Sequence, residues 1–243
     1  MKEICSKKNC TGCYACYNIC PKKCIEMKED DNGYVYPLIN QQDCINCGRC
    51  KKICPQNNRI TLLEPKKAYA MVNKEDKIRS ESTSGGAATT FYLHILNKNG
   101  VVYGANNIYN EEFNFIKVEK KEDLYKLKGS KYVHCYIGDI FNKIKEDLLE
   151  KKEVLFIGTP CQVAGLKQFL VKDYNNLITI DLICHGVPPQ KYLIDEIKNI
   201  TSEKYKVNKV VFRGKGDEEF ALKLYKDNEL KENIKLNDNY YYK

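Results

Sequence analysis

The chain has 243 residues, 43% of them hydrophobic and 30% charged, which is enough for one good-sized domain and a small satellite and excludes a disordered chain. No run approaches the ~18 apolar residues of a membrane span, and the opening "MKEICSKKNC" lacks the apolar stretch of a secretory signal, so a soluble, cytoplasmic protein is expected. The formal net charge of +8 is carried by lysines spread along the chain, with Arg49, Arg59, Arg79 and Arg213 as the arginines. Base readout favours arginine, so the charge reads as a solvated surface able to dock an acidic partner, with no nucleic acid expected.

Ten of the 13 cysteines precede residue 55. Without an export signal, thiols clustered in this way point to metal rather than to disulfides. "CTGCYACYNICP" at 10–21 and "CINCGRCKKICP" at 44–55 both read C-x2-C-x2-C-x3-C-P, the spacing of ferredoxins that carry two [4Fe-4S] clusters. The short x2 loops wrap backbone around three corners of a cubane and turn amides toward its sulfides. In such ferredoxins the fourth cysteine of each run serves the other cluster. Carried onto this sequence, cluster one takes Cys10, Cys13, Cys16 and Cys54, and cluster two takes Cys20, Cys44, Cys47 and Cys50. Pro21 and Pro55 redirect the chain after each crossing ligand, and Gly12 and Gly48 suit tight backbone beside a cluster. Zinc competes through paired C-x2-C units, but a duplicated triple array is poor zinc spacing. Cys24 is expected as apolar filler beneath a cluster and Cys5 as a free thiol. Between the blocks "DDNG" signals a turn and Tyr34, Val35 and Tyr36 a short strand, which together suggest a hairpin. A ferredoxin-like domain over 1–62 follows, with "LLEPKK" as the joint.

From Ala68 onward strand and helix candidates alternate. Strands are expected at "AYAMV", "VVYGA", "FNFIKV", "EVLFIG" and "LITIDLIC", the last two buried, and at "KVVFRG" and "FALKLY". Helices are expected over 85–97, over 138–151 with Ile140, Phe141, Ile144 and Leu148 on one face, over 161–170 and over 188–200. The fold class expected is therefore α+β: a two-cluster ferredoxin-like domain, then an α/β domain over 66–243 with helices packed on a mixed sheet.

Three stretches break the pattern. "STSGGAATTF" places Ser82 to Gly86 in a small-residue turn before a helix, where free amides suit a phosphate or a simple N-cap. "IGTPCQVAGL" ends a strand, turns at Gly158 and Thr159, and puts Cys161 in the first turn of a helix, where amides and the helix dipole stabilise a thiolate. That thiol is placed to ligate iron, contact a flavin, act as a nucleophile, or simply pack. "DLICHGVPP" brings Cys184 and His185 to a strand end, where α/β domains hold ligands, with His185 as a candidate proton or hydrogen-bond donor.

The cysteine blocks followed by "STSGGAATTF", "VVYGA", "LKGSKYV", "VLFIGTPCQVAGLKQFL" and "LITIDLICHGVP" resemble the deazaflavin (factor 420) hydrogenase and dehydrogenase beta-subunit family. More narrowly, they resemble ferredoxin-fused members found among bacterial exopolysaccharide genes. The resemblance implies an iron-sulfur flavoprotein oxidoreductase that binds FAD and moves electrons between its clusters and a two-electron acceptor. A flavin is a sensible converter between one-electron and hydride chemistry. On this reading Ser84, Gly85, Gly86, Lys128, Ser130, Lys131, Thr159, Pro160, Cys161 and Gln162 are candidates for the flavin site, and Cys161 and His185 for catalysis. The expected partner is a redox protein or a reduced coenzyme, with a small-molecule or glycan-related substrate as a further expectation. Relatives continue past "FRGKGDEEFALKLY" to another cysteine pair, so the resemblance implies a shortened member in which Cys135, Cys161 and Cys184 lack those later thiols. The competing expectation is an electron carrier whose second domain only docks a partner.

Overall fold

The computed structural model describes residues 3–109, 112–202, 204–213, 221–235, 238 and 241. The two cysteine blocks flank a hairpin of β1 (Ile25–Glu29) and β2 (Val35–Ile39), paired antiparallel from Ile25↔Ile39 to Glu29↔Val35. Asp30 fixes the turn because its Oδ1 accepts the N–H groups of Asn32 and Tyr34 at 3.1 and 3.0 Å. Short helices α1 (Ala15–Ile19) and α2 (Arg49–Lys52) grow out of the cysteine loops.

The larger part contains α3 (Asp76–Ser80), α4 (Ala87–Leu96), β3 (Val101–Ala105), β4 (Phe115–Val118), α5 (Ile140–Leu149), β5 (Val154–Gly158), α6 (Pro160–Leu170), β6 (Leu177–Asp181) and α7 (Gln190–Thr201). Its four strands stand in the order β4-β3-β5-β6, with β3 antiparallel to β4 and parallel to β5, and β5 parallel to β6. The sheet is thus mixed, as expected. A separate antiparallel sheet joins β7 (Lys209–Val211), β8 (Ala221–Lys226) and β9 (Glu229–Lys235).

Alternation along β3 and β5 sorts the core. Val102, Leu155 and Ile157 meet Tyr92, Ile95 and Leu127 on one face. Tyr103 and Phe156 meet Phe141, Ile144, Leu166 and Phe169 on the other. Every residue of β5 is buried because strands flank it on both sides and helices cover both faces. The helical stripe of α5 lands as predicted, with Ile140, Phe141, Ile144 and Leu148 all buried. Among the described residues, no helix is long and apolar enough to cross a membrane.

Two expectations are corrected. "AYAMV" forms no strand: residues 68–72 are exposed, and the chain docks instead through Asn73 N–H to Gly85 O at 2.7 Å. A β-carbon at Gly85 would lie 2.6 Å from Met71 O, so the glycine is what allows this approach. "LITIDLIC" is a strand only through Asp181, and it is half-exposed because it forms the sheet edge beside β5 alone. Cys184 and His185 consequently sit on an exposed stretch beyond the strand end. Gly214 and Phe220, expected in the last two strands, lie outside the described residues.

The cysteine-rich part and the α/β part share one core, in which Tyr14, Ala15, Val35 and Ile53 join the α5 and α6 side chains. Buried Asn18 pins the joint. Its Nδ2 donates to Tyr14 O at 3.0 Å and Gly138 O at 2.8 Å, while its Oδ1 accepts from Asn142 Nδ2 at 2.9 Å. On the far side of α6, Gln168 Nε2 donates to Asn58 O at 2.6 Å.

Candidate cluster sites and the α6 junction

Two cavities of about 330 and 340 Å³ lie in the cysteine-rich part. One is lined by Cys10, Cys13, Cys16 and Cys54, with Cys5 as a fifth thiol. The other is lined by Cys20, Cys44, Cys47 and Cys50, with Cys24 as the fifth. Each cavity therefore gathers three cysteines of one block and the last cysteine of the other, the grouping the spacing predicts. The thiols ring a space instead of converging on one point, which is the donor arrangement a four-iron cubane requires. Cys24, expected as filler, is buried with its Sγ 3.4 Å from that of Cys20. Cys5, expected as a free thiol, stands against Cys10 and Cys54.

The sequence repeat is also a backbone repeat. Gly12 and Tyr14 flank Cys13 with φ of 60° and 63°, and Asn46 and Gly48 flank Cys47 with φ of 53° and 72°. These left-handed residues turn amides toward the cavities: Gly12 N–H points at the Cys10 sulfur and Asn46 N–H at the Cys44 sulfur. Such amides stabilise thiolate and cluster charge.

The surroundings of the two cavities differ. Burial pushes the Cys13 thiol up to about 12 and that of Cys16 well above its ordinary value. Cys44 is held below the ordinary thiol value, chiefly by the Asn46 amide, and Cys47 is exposed. Cys13 lies directly under α6, where a β-carbon on Gly165 would come within 3.1 Å of Cys13 Cβ and 3.2 Å of its Sγ. His134, which sequence reasoning passed over, packs its ring beside Gly12 with Nε2 buried and unpartnered, and burial lowers its pKa to about 4. Neither Gly165 nor His134 carries a motif, so only the packing reveals them.

The N-terminus of α6 is built by a capping box between Thr159 and Gln162. Thr159 N–H donates to Gln162 Oε1 at 2.9 Å, and Gln162 Nε2 donates to Cys135 O at 3.0 Å. Pro160 occupies the first turn, where its missing N–H costs nothing. Cys161 Sγ lies 3.2 Å from Thr159 Oγ1, one helical turn from Gly165 and thus on the same side of α6 as Cys13.

The other flavin candidates come from two loops that touch. Thr83 Oγ1 lies 3.1 Å from Ser130 Oγ, and Lys128 pairs with Glu81. Gly86, with φ of 80°, opens α4, so Ser84, Gly85 and Gly86 lie at that helix start. Lys131 Nζ donates to Leu127 O and Lys128 O at 3.0 and 3.1 Å, and burial of its ammonium near Cys135 lowers its pKa to about 8. Among the described residues no carboxylate pairs with it. His185 stands apart from all of these on its exposed stretch.

Residues 9–58 match the 4Fe-4S dicluster domain family. Residues 151–242 match the family that describes the C terminus of the coenzyme F420 hydrogenase/dehydrogenase beta subunit. This chain is a two-cluster iron-sulfur protein of the F420 hydrogenase/dehydrogenase beta-subunit type. A coenzyme F420-dependent sulfite reductase of Methanocaldococcus jannaschii is 33% identical over 110 residues, which are 44% of this chain and 17% of that protein. A chain of the F420-reducing [NiFe] hydrogenase complex from Methanosarcina barkeri overlays with a TM-score of 0.48 at 16% identity, covering 72% of this chain and 64% of that one. The present beta-subunit-type chain therefore spans a small part of the first relative and less than two-thirds of the second. Its dicluster domain holds two [4Fe-4S] clusters.

Proposed function

We propose that this chain passes electrons between its two clusters and an FAD held at the start of α6, where a two-electron coenzyme or substrate is reduced or oxidised. Cys10, Cys13, Cys16 and Cys54 hold cluster one; Cys20, Cys44, Cys47 and Cys50 hold cluster two. The division into a ferredoxin-like domain over 1–62 and a flavin domain from 66 belongs to the same reading. The observation that carries it is the packing of Cys13 against Gly165, because this places the first cavity on the helix that presents Thr159 to Gln162.

The residues present suit a flavin dinucleotide. Lys131 supplies a buried cation whose partners are carbonyls alone, the donor a pyrophosphate needs. Ser130, Ser84 and the amides of Gly85 and Gly86 add neutral donors beside it. Lys128 contributes its charge once it leaves Glu81. Gln162 holds the strand-turn-helix junction rigid through Thr159 and Cys135, and Cys161 stands between that junction and cluster one. FAD supplies the exchange between single electrons and hydride. His185, exposed near the sheet edge, is the candidate proton donor toward a bound substrate.

The test is anaerobic purification with iron, sulfide and released flavin measured on one sample. About eight irons and one FAD per chain are expected, with Lys131→Met keeping the iron and losing the flavin. Full iron with no flavin uptake from added FAD would overturn the converter and leave an electron carrier.

A further inference from the structure

We propose that the face around the second cavity is the docking surface for an acidic one-electron carrier protein, and that electrons run inward from there through cluster one to α6. The proposal rests on the assignment of Cys20, Cys44, Cys47 and Cys50 to cluster two.

The two cavities are unequally placed for an outside partner. The first is covered by α6 through Gly165, with Tyr14 and Ala15 in the shared core. The second opens outward: Cys47 is exposed, Ile45 on its wall is 57% exposed, and Leu38 nearby is 53% exposed. Electron tunnelling falls steeply with distance, so a docked protein reaches cluster two before cluster one. The exposed apolar side chains form a small contact patch of the kind that weak redox encounters use.

The charge around this opening has one sign. Lys22 and Arg49 line the cavity, Lys23 follows Lys22, and Lys51 and Lys52 continue α2 from Arg49. None of these five pairs with an acid among the described residues. The nearby acids are already engaged: Asp43 accepts from Asn40 Nδ2 at 2.5 Å, and Glu26 pairs with Lys28 at 3.4 Å. Elsewhere lysines are neutralised, as where Lys117 and Lys152 both reach Asp147 at 2.9 and 2.8 Å. An uncompensated basic rim around an exposed apolar patch beside a redox centre selects an acidic partner and raises its encounter rate. The reaction is a single-electron transfer in which the reduced carrier is oxidised and cluster two is reduced, with no bond made or broken.

The test follows reduction of the anaerobic, cluster-loaded full chain by a pre-reduced acidic flavodoxin in stopped flow. Lys23→Glu, Lys51→Glu and Lys52→Glu are combined, since none of the three lines the cavity. Lys172→Glu, Lys198→Glu and Lys226→Glu on the larger part form the matched control. The expected result is a fall of roughly tenfold or more for the first triple at low salt, little change for the control, and convergence of all rates at high salt. Iron content and reduction by dithionite should be unchanged in both. Equal flavodoxin rates in both triples, or a wild-type rate insensitive to salt, would overturn the docking surface. So would a first triple that loses nucleic-acid binding while flavodoxin reduces it as fast as before. A failure of the cluster assignment shows itself separately: Cys47→Ser would then leave both clusters' signals in place.

Discussion

The two cysteine blocks share a spacing, a pair of left-handed residues around the middle cysteine and an amide aimed at the first one, yet they end in opposite surroundings. The first block is pressed against α6 and the shared core; the second faces water. Local sequence therefore builds two equivalent metal sites, and packing against the α/β part makes them functionally unequal. A symmetric device becomes a directional one because one half is covered.

The largest effect should come from the crossing ligands. Cys54→Ala is expected to remove the cluster of the first block, although it lies in the second, and Cys20→Ala the cluster of the second block. Electron paramagnetic resonance of the dithionite-reduced protein should show one signal lost in each variant, with iron falling by about half. Because Cys24 Sγ stands 3.4 Å from Cys20 Sγ, the Cys20 variant should retain more iron than the Cys54 variant unless Cys24 is changed too. If each variant instead loses the cluster of its own block, the crossed assignment is wrong.

How much of this asymmetry could be read from sequence follows from the range of each cause. The cysteine loops and hairpin depend on residues within a dozen positions, so spacing, Gly12, Gly48 and the "DDNG" turn announced them. The stripe of α5 and the apolar run of β5 are likewise local patterns with one packing solution. "AYAMV" misled because its apolar residues have strand composition but no neighbouring strand to pair with. "LITIDLIC" misled because a sheet edge and a sheet centre can carry the same apolar run, and only the strand order distinguishes them. Asn18, His134 and Gly165 are invisible beforehand, since each matters through a partner more than 100 residues away.

A second difference between the blocks concerns acid. His134 packs on the Gly12 loop of the first block and next to the Tyr136 ring, and burial lowers its pKa from 6.5 to about 4. The folded protein thus resists protonating a group that the unfolded chain protonates below about 6.5. Stability is full above that value and is lost as pH falls toward about 4, by up to about 3 kcal/mol for this one group. His134→Phe should flatten the stability profile between those values in denaturant titrations. A parallel profile in the variant would exclude His134 as the cause.

The smallest expected change tests the covering contact itself, and its sign carries the information. Gly165 lies inside α6, where alanine is better than glycine by about 1 kcal/mol from helix propensity alone. Opposing this, the new methyl would sit 3.1 to 3.2 Å from Cys13 Cβ, O and Sγ, and overpacking typically costs about 1–3 kcal/mol. Were the Cys13 loop free to yield, Gly165→Ala would raise the melting temperature. With Cys13 fixed to a cluster the loop cannot yield, so the cluster-loaded variant should melt lower and shift the resonance of the first cluster while leaving that of the second unchanged. A higher melting temperature with both signals unmoved would mean that α6 does not bear on cluster one, and the inward route from the exposed block to the α/β part would lose its bridge.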